Sequence, residues 1–198
     1  MKTRIFKSIN GFTLIELVIT IAIFAAMTTY LLAKYGKFNQ TILLTNLAYD
    51  VALTIRTAQS YGLNVKAAAS GLFNSPFGAH FNKSSSTKSC FIFFADINSD
   101  KVYSDTQYCT TGGSVTEKIS SYSIKRGSFI SELCAGDDEN DCDSTDTLDI
   151  TFKRPDPDAI IMNESDEKKS YARITLLATD GSEKNVIVRS TGQIAITN

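Results

Sequence analysis

An apolar run that carries one acid near its start constrains this chain more than any other feature. From Phe12 to Ala33 the only charged residue is Glu16. At about 1.5 Å per residue a helix over this stretch reaches roughly 33 Å, against a hydrocarbon core of about 30 Å. The stretch therefore reads as a membrane-spanning helix. Lys2, Arg4 and Lys7 lie ahead of it, so the positive-inside bias keeps that short leader cytoplasmic and sends the rest of the chain across the membrane. An ordinary secretory signal is cut behind its apolar core, at a small-residue site. A chain cut in front of that core instead would keep its anchor.

Glu16 needs a partner. An ionised side chain deep in a membrane helix costs about 2.5–3.5 kcal/mol on insertion scales. Cleavage after Gly11 would supply the α-amino group of Phe12, which is charged at neutral pH. Phe12 and Glu16 are four apart and so share a helix face. The rival reading is a plain signal anchor with Glu16 at the interface among headgroups and water. That reading leaves the spacing from Gly11 to Glu16 unexplained.

Gly11-Phe12-Thr13-Leu14-Ile15-Glu16-Leu17, behind a short basic leader, resembles the processing and methylation site of type IV prepilins and type II secretion pseudopilins. The resemblance implies cleavage after Gly11 by prepilin peptidase and N-methylation of Phe12. It gives Glu16 an assembly role, in which the acid of an incoming subunit meets the Phe12 amine of its neighbour. It also implies a single pass through a bacterial inner membrane, with the head domain in the periplasm or outside the cell. The implied partners are other pilin or pseudopilin subunits and a secretion or pilus assembly platform. Over the body the resemblance narrows to minor pseudopilins of the protein H and FimT type. It rests there on Leu47–Ala58, on Phe93-Phe94-Ala95-Asp96 and on Ser190-Thr191-Gly192-Gln193-Ile194. Many relatives carry a helix-kinking proline about where Ala33 stands, and this chain has none.

Beyond the apolar run the period changes without a turn. Leu44, Leu47, Ala48, Val51, Ile55 and Ala58 form a helical stripe, with Asn46, Asp50, Thr54 and Arg56 on other faces. One long helix is expected, about Thr13 to Tyr61, with Gly62 as its stop. Strands are expected at Cys90–Phe94, Leu148–Phe152, Arg173–Ala178, Asn185–Arg189 and Gln193–Thr197, with a turn at Asp180-Gly181. Gly71 to Phe81 reads as loop or edge strand, and Ser84–Ser86 and Asn163–Ser170 as polar hairpin tips. The expected fold class is α+β and pilin-like, a long N-terminal helix on an antiparallel sheet. The divisions are leader 1–11, transmembrane or filament-core helix 12–33, amphipathic helix 34–62 and exported head 63–198.

Cys90, Cys109, Cys134 and Cys142 all lie in the exported part, and an even count there reads as two disulfides. Three pairings are open; sequence neighbours favour Cys90–Cys109 and Cys134–Cys142. Zinc is the competing reading, but no Cys-x-x-Cys pair occurs and His80, the one histidine, is remote. Asp96, Asn98 and Asp100, followed by Asp105, space oxygen ligands as a calcium loop opens. Lys101 stands where that motif wants glycine, and Gln107 where it wants a bidentate glutamate. The plainer reading is a solvated turn. No other cofactor is expected.

Between Glu132 and Asp149 stand eight acids and no Lys or Arg. That run reads as a solvated loop stapled by Cys134–Cys142, with a weak cation site or a contact for a basic partner as alternatives. Removing Lys2, Arg4 and Lys7 from the 20 Lys and Arg leaves 17 against 21 Asp and Glu, a balance near −4. Such a balance disfavours a nucleic-acid partner. His80 has neutral neighbours and reads as a surface or edge residue. No nucleophile elbow, zinc-protease pair or phosphate loop occurs, so no enzyme is expected. The expected function is a filament subunit for protein secretion or pilus assembly. The alternative is a pilus-associated adhesin or DNA-uptake receptor.

Overall fold

The computed structural model describes residues 11–64, 66, 71, 73, 75–84, 89–104 and 117–198, apart from the Lys37 side chain. The chain divides into two units, Met1–Asn39 and Gln40–Asn198. Helix α1 (Leu14–Leu63, 50 residues) contributes to both.

In the first unit every described side chain from Gly11 to Asn39 is exposed. The helix here buries no stripe of its own. Its apolar window, with a mean hydropathy of 2.0, is long enough to cross a membrane. A helix apolar on all sides needs lipid or other helices around it.

The second unit packs the rest of α1 against two sheets. Leu44, Ala48, Val51, Ala52, Ile55 and Ala58 are buried and share one core with residues of both sheets. Three of these six are alanines, which bring the helix backbone close to its neighbours. Among the described residues eleven strands follow. They are β1 (Phe77–Asn82), β2 (Cys90–Ala95), β3 (Lys118–Ser123), β4 (Phe129–Gly136), β5 (Cys142–Thr145) and β6 (Thr147–Phe152), then β7 (Ala159–Asn163), β8 (Lys168–Lys169), β9 (Tyr171–Leu177), β10 (Glu183–Arg189) and β11 (Ile194–Thr197). One sheet runs β3-β2-β1-β6-β7-β8 and the other β11-β10-β9-β4-β5. Every pairing is antiparallel. The fold is thus α+β, with two sheets where the sequence suggested one.

Inward residues alternate along the strands, as a pleat requires. Phe77, Ala79 and Phe81 of β1 join Phe91 and Phe93 of β2 and Leu148, Ile150 and Phe152 of β6 in the core. The Tyr61 ring closes this cluster, edge-on to Phe77 at 5.6 Å and to Phe93 at 5.5 Å.

Four expectations are corrected. Gly71 to Phe81 does not end in an edge strand; β1 lies in the interior of its sheet, between β2 and β6. His80 is not a surface or edge residue. It is 4% exposed, and its Nδ1 lies 2.9 Å from Asp149 Oδ1, across the β1–β6 pairing. Its acidic partner stands 69 residues away, beyond the reach of any local pattern. The Glu132–Asp149 run is not one loop: it spans the end of β4, a hairpin, β5 and the start of β6, and Asp149 is buried. Gly62 is not the helix stop either, because the helix continues to Leu63. A Cβ on Gly62 would stand 2.4 Å from the Phe152 carbonyl oxygen, and the Gly62 carbonyl accepts from Arg154 N at 3.1 Å. Close approach to a strand, not a left-handed cap, is what requires glycine there.

Two stability outcomes follow. Gly62→Ala pushes a strand backbone away from the helix and should cost about 1–3 kcal/mol, read as a lower Tm in circular dichroism. Replacing Cys134 and Cys142 with serine opens a loop of sequence separation 8, which the chain-entropy relation values at roughly 2.5 kcal/mol. A denaturation midpoint unchanged from the parent would contradict that value.

Candidate functional site

The helix start is built by Thr13 and Glu16. Gly11 to Thr13 lie outside the helix, and α1 opens at Leu14. The Thr13 hydroxyl oxygen accepts from Glu16 N at 3.3 Å. In return Glu16 Oε2 accepts from Thr13 N at 3.3 Å and from the Thr13 hydroxyl at 3.1 Å. Leu17 N donates to the Thr13 carbonyl at 3.2 Å, the first bond of the ladder. This is a capping box, with Thr13 as N-cap and Glu16 at the third helical position. The acid also sits at the positive end of the helix dipole. Glu16 Oε1 has no hydrogen-bond partner among the described residues.

Gly11 stands ahead of this cap, exposed, with nothing within 4 Å of where a Cβ would be. Its φ lies outside the left-handed region, unlike that of Gly71 or Gly181. Neither space nor backbone conformation therefore calls for glycine at position 11. Phe12 is exposed as well, so the Gly11–Phe12 bond lies in accessible, non-helical backbone.

A second constellation lies beyond β2. One oxygen each from Asp96, Asp100 and Glu117 fall within 4.8 Å of one another. Asp96 is fully buried and Glu117 nearly so, while Asp100 is exposed. Asp96 Oδ1 accepts from Ser99 N at 2.6 Å and Oδ2 from Lys101 N at 3.0 Å. Glu117 accepts from Ile97 N at 3.3 Å and Ser104 N at 3.1 Å. Asn98 Nδ2 donates to Asp100 Oδ2 at 2.7 Å, and Ser104 Oγ donates to the same oxygen at 2.6 Å. Lys101 adopts φ 72°, the left-handed conformation for which a calcium loop uses glycine.

Sequence reasoning brought Asp96, Asn98 and Asp100 together and missed Glu117. That residue enters from just ahead of β3 and offers a carboxylate that Gln107 cannot. Asp105 and Cys109 lie outside the described residues. Cys134 and Cys142 are bridged, with Cα atoms 5.5 Å apart on the adjacent strands β4 and β5, and Cys90 is disulfide-bonded too.

The loop is tied to the sheet by the buried pair of β1 and β6. Asp149 Oδ1, which meets His80, also accepts from Tyr103 N at 3.1 Å. The Tyr103 ring lies 5.4 Å from Phe94 and 5.2 Å from His80.

Burial pushes the Asp96 carboxyl above its ordinary value. The Lys101 and Ser99 amides pull it back, and the Asp100 charge pushes it up further. Glu117 is raised by burial in the same way, against the amides of Ser104 and Ile97. A carboxyl raised in the folded state holds its proton more tightly than in the unfolded chain. Its stabilising contribution is complete below the unfolded value and is lost as pH rises through the folded value. In chelator, Glu117→Gln should therefore flatten the fall of Tm on going from the ordinary carboxylate range toward neutral pH. A slope identical to the parent's would count against this.

The N-terminal segment matches the family model of the prokaryotic N-terminal methylation motif over residues 6–32. No curated protein and no solved structure matches the chain. The match, confined to the N-terminal segment, supports a broad type IV pilin-like reading of that segment.

Proposed function

We propose that this chain is a minor pilin or pseudopilin, a non-catalytic subunit of a type II secretion or type IV pilus filament, most like the protein H and FimT type. Prepilin peptidase cuts after Gly11, and the new Phe12 amine is methylated. The protein waits in the bacterial inner membrane with its head domain on the far side, then enters the filament through its apolar helix.

The observation that carries this reading is the division of labour at the helix start. Glu16 closes the cap through Oε2 and leaves Oε1 unbonded among the described residues, while the described fold makes no demand for glycine at position 11. Gly11 therefore answers to an external reader of the sequence. The open oxygen suits the amine that processing frees, within the chain or on a neighbour. Neutralising that carboxylate removes a cost of about 2.5–3.5 kcal/mol for holding it in lipid, which helps offset extraction of the helix from the bilayer.

Gly11→Ala should leave folding and membrane insertion intact but block processing, so that intact-mass measurement finds the leader retained. Glu16→Val should be processed and inserted normally yet enter sheared filaments at least tenfold less. Filament yield equal to the parent's would defeat the assembly role.

A calcium ion at the Asp96 loop is a second proposal. Asp96, Asp100 and Glu117 are hard oxygen donors, and charge neutralisation would relieve two buried carboxylates that oppose each other. Titrating chelated protein with calcium should raise Tm in the parent and not in Asp96→Asn. An unchanged parent Tm at millimolar calcium would dispose of the site.

A further inference from the structure

The sheet β11-β10-β9-β4-β5 carries a polar cleft on the face that turns away from the core. On β9, Ala172, Ile174 and Leu176 belong to the core, so Arg173 and Thr175 point the other way. On β10, Val186 and Val188 belong to the core, and Asn185, paired with Thr175, points outward. Strand β4 is bulged between Ile130 and Glu132. Ile130 and Leu133 stay in the core, and the extra residue lets Ser131 and Glu132 both face out. An unbroken pleat would have sent one of them inward.

The cleft holds about 560 Å³, and every side chain that lines it is polar. Its floor is prearranged. The buried Thr175 hydroxyl donates to Asn185 Oδ1 at 2.8 Å, and Ser131 Oγ donates to the Thr175 carbonyl at 3.2 Å. Its walls set two bases, Lys83 and Arg173, against two acids, Glu132 and Glu183. Lys83 Nζ is steadied by Ser144 Oγ at 2.8 Å and Asp146 Oδ1 at 3.2 Å. Arg173 Nη2 and Glu132 Oε2 stand 3.9 Å apart. That is too far for a hydrogen bond, so both groups keep bonding capacity for a ligand.

The lining selects its ligand by chemistry. Its charges cancel, so a strongly anionic or cationic molecule meets as much repulsion as attraction. With no apolar wall, an apolar side chain gains nothing by entering. Strand β9 is paired on both edges, with β10 and β4, so a peptide finds no free strand edge to join. A neutral molecule rich in hydroxyls suits what remains. Each hydroxyl both donates and accepts, and one placed beside Arg173 and Glu132 accepts from the first and donates to the second. The volume lies within the range of about 300–1,000 Å³ usual for small-ligand sites, room for a short oligosaccharide. We infer that this cleft binds a neutral carbohydrate. The inference goes beyond the reading of the chain as a filament subunit and does not depend on it.

The test uses the full chain, labelled and held in lipid nanodiscs prepared without sugar-based detergent. It is applied to an array of neutral mannose, glucose, galactose and N-acetylglucosamine oligosaccharides, with sulfated and sialylated counterparts beside them. At least one neutral oligosaccharide should be retained in preference to its anionic counterparts. Retention should change little from low to high salt, because no net charge is matched. Arg173→Ala removes charge-assisted bonds and should weaken retention about tenfold or more at the parent's Tm. Glu183→Gln, on the opposing wall, should weaken it in the same direction, while Glu139→Gln, outside the cleft, should not. Neutral glycans held as well by both cleft variants as by the parent would put the ligand elsewhere and overturn the site. Retention of anionic glycans alone, or of none, would overturn the proposal and leave the subunit reading where it stands.

Discussion

One helix has to satisfy two surroundings, and the rest of the structure follows from how it does so. Over its first half α1 offers apolar side chains in every direction, which suits lipid or a bundle and nothing else. Over its second half the apolar residues condense to one stripe, and that stripe becomes a wall of the core. Alanines at 48, 52 and 58 keep the wall thin. The two antiparallel sheets then complete a domain that needs nothing from the apolar half to bury its own interior.

A buried polar pair links the strands of that domain to its acid-lined loop. His80 and Asp149 face each other from β1 and β6, and the same aspartate oxygen accepts from the Tyr103 backbone. A polar group without a partner in such a place would cost more than the bond it lacks, so Asp149 holds two elements in fixed relation. Asp96 and Glu117 are held by backbone donors in the same manner, although their own charges oppose the arrangement. The loop trades stability for a concentration of carboxylate oxygens.

What could be read in the sequence depended on how local its cause was. The apolar run, the heptapeptide at its start and the helical stripe that follows are patterns within a few turns of chain. So are the alternating residues of β6 and the turn at Asp180-Gly181. The interior place of β1 was hidden, because Ser75-Pro76-Phe77-Gly78 carries turn residues while β6, which covers its second edge, comes from far downstream in the chain. His80 and Glu117 were hidden for a related reason, since each acquires its role from residues far off in sequence. Gly62 misled because a glycine after a helical stripe signals termination as readily as tight packing. The eight acids from Glu132 to Asp149 hid the strands among them: all but Asp149 turn to solvent, while Leu133, Ala135, Leu148 and Ile150 turn inward.

The cap at Thr13 bears on how errors are handled. A carboxylate whose sole bonds lay across a subunit boundary would bind any amine within reach, and release from a wrong one would be slow. In the assembly role proposed for it, Glu16 would come to its neighbour already half satisfied by its own helix. Parting from a mismatched neighbour would return it to a bonded state, and the barrier to letting go would stay low. Discrimination would then fall to weaker contacts elsewhere on the subunit, where a poor fit is undone easily.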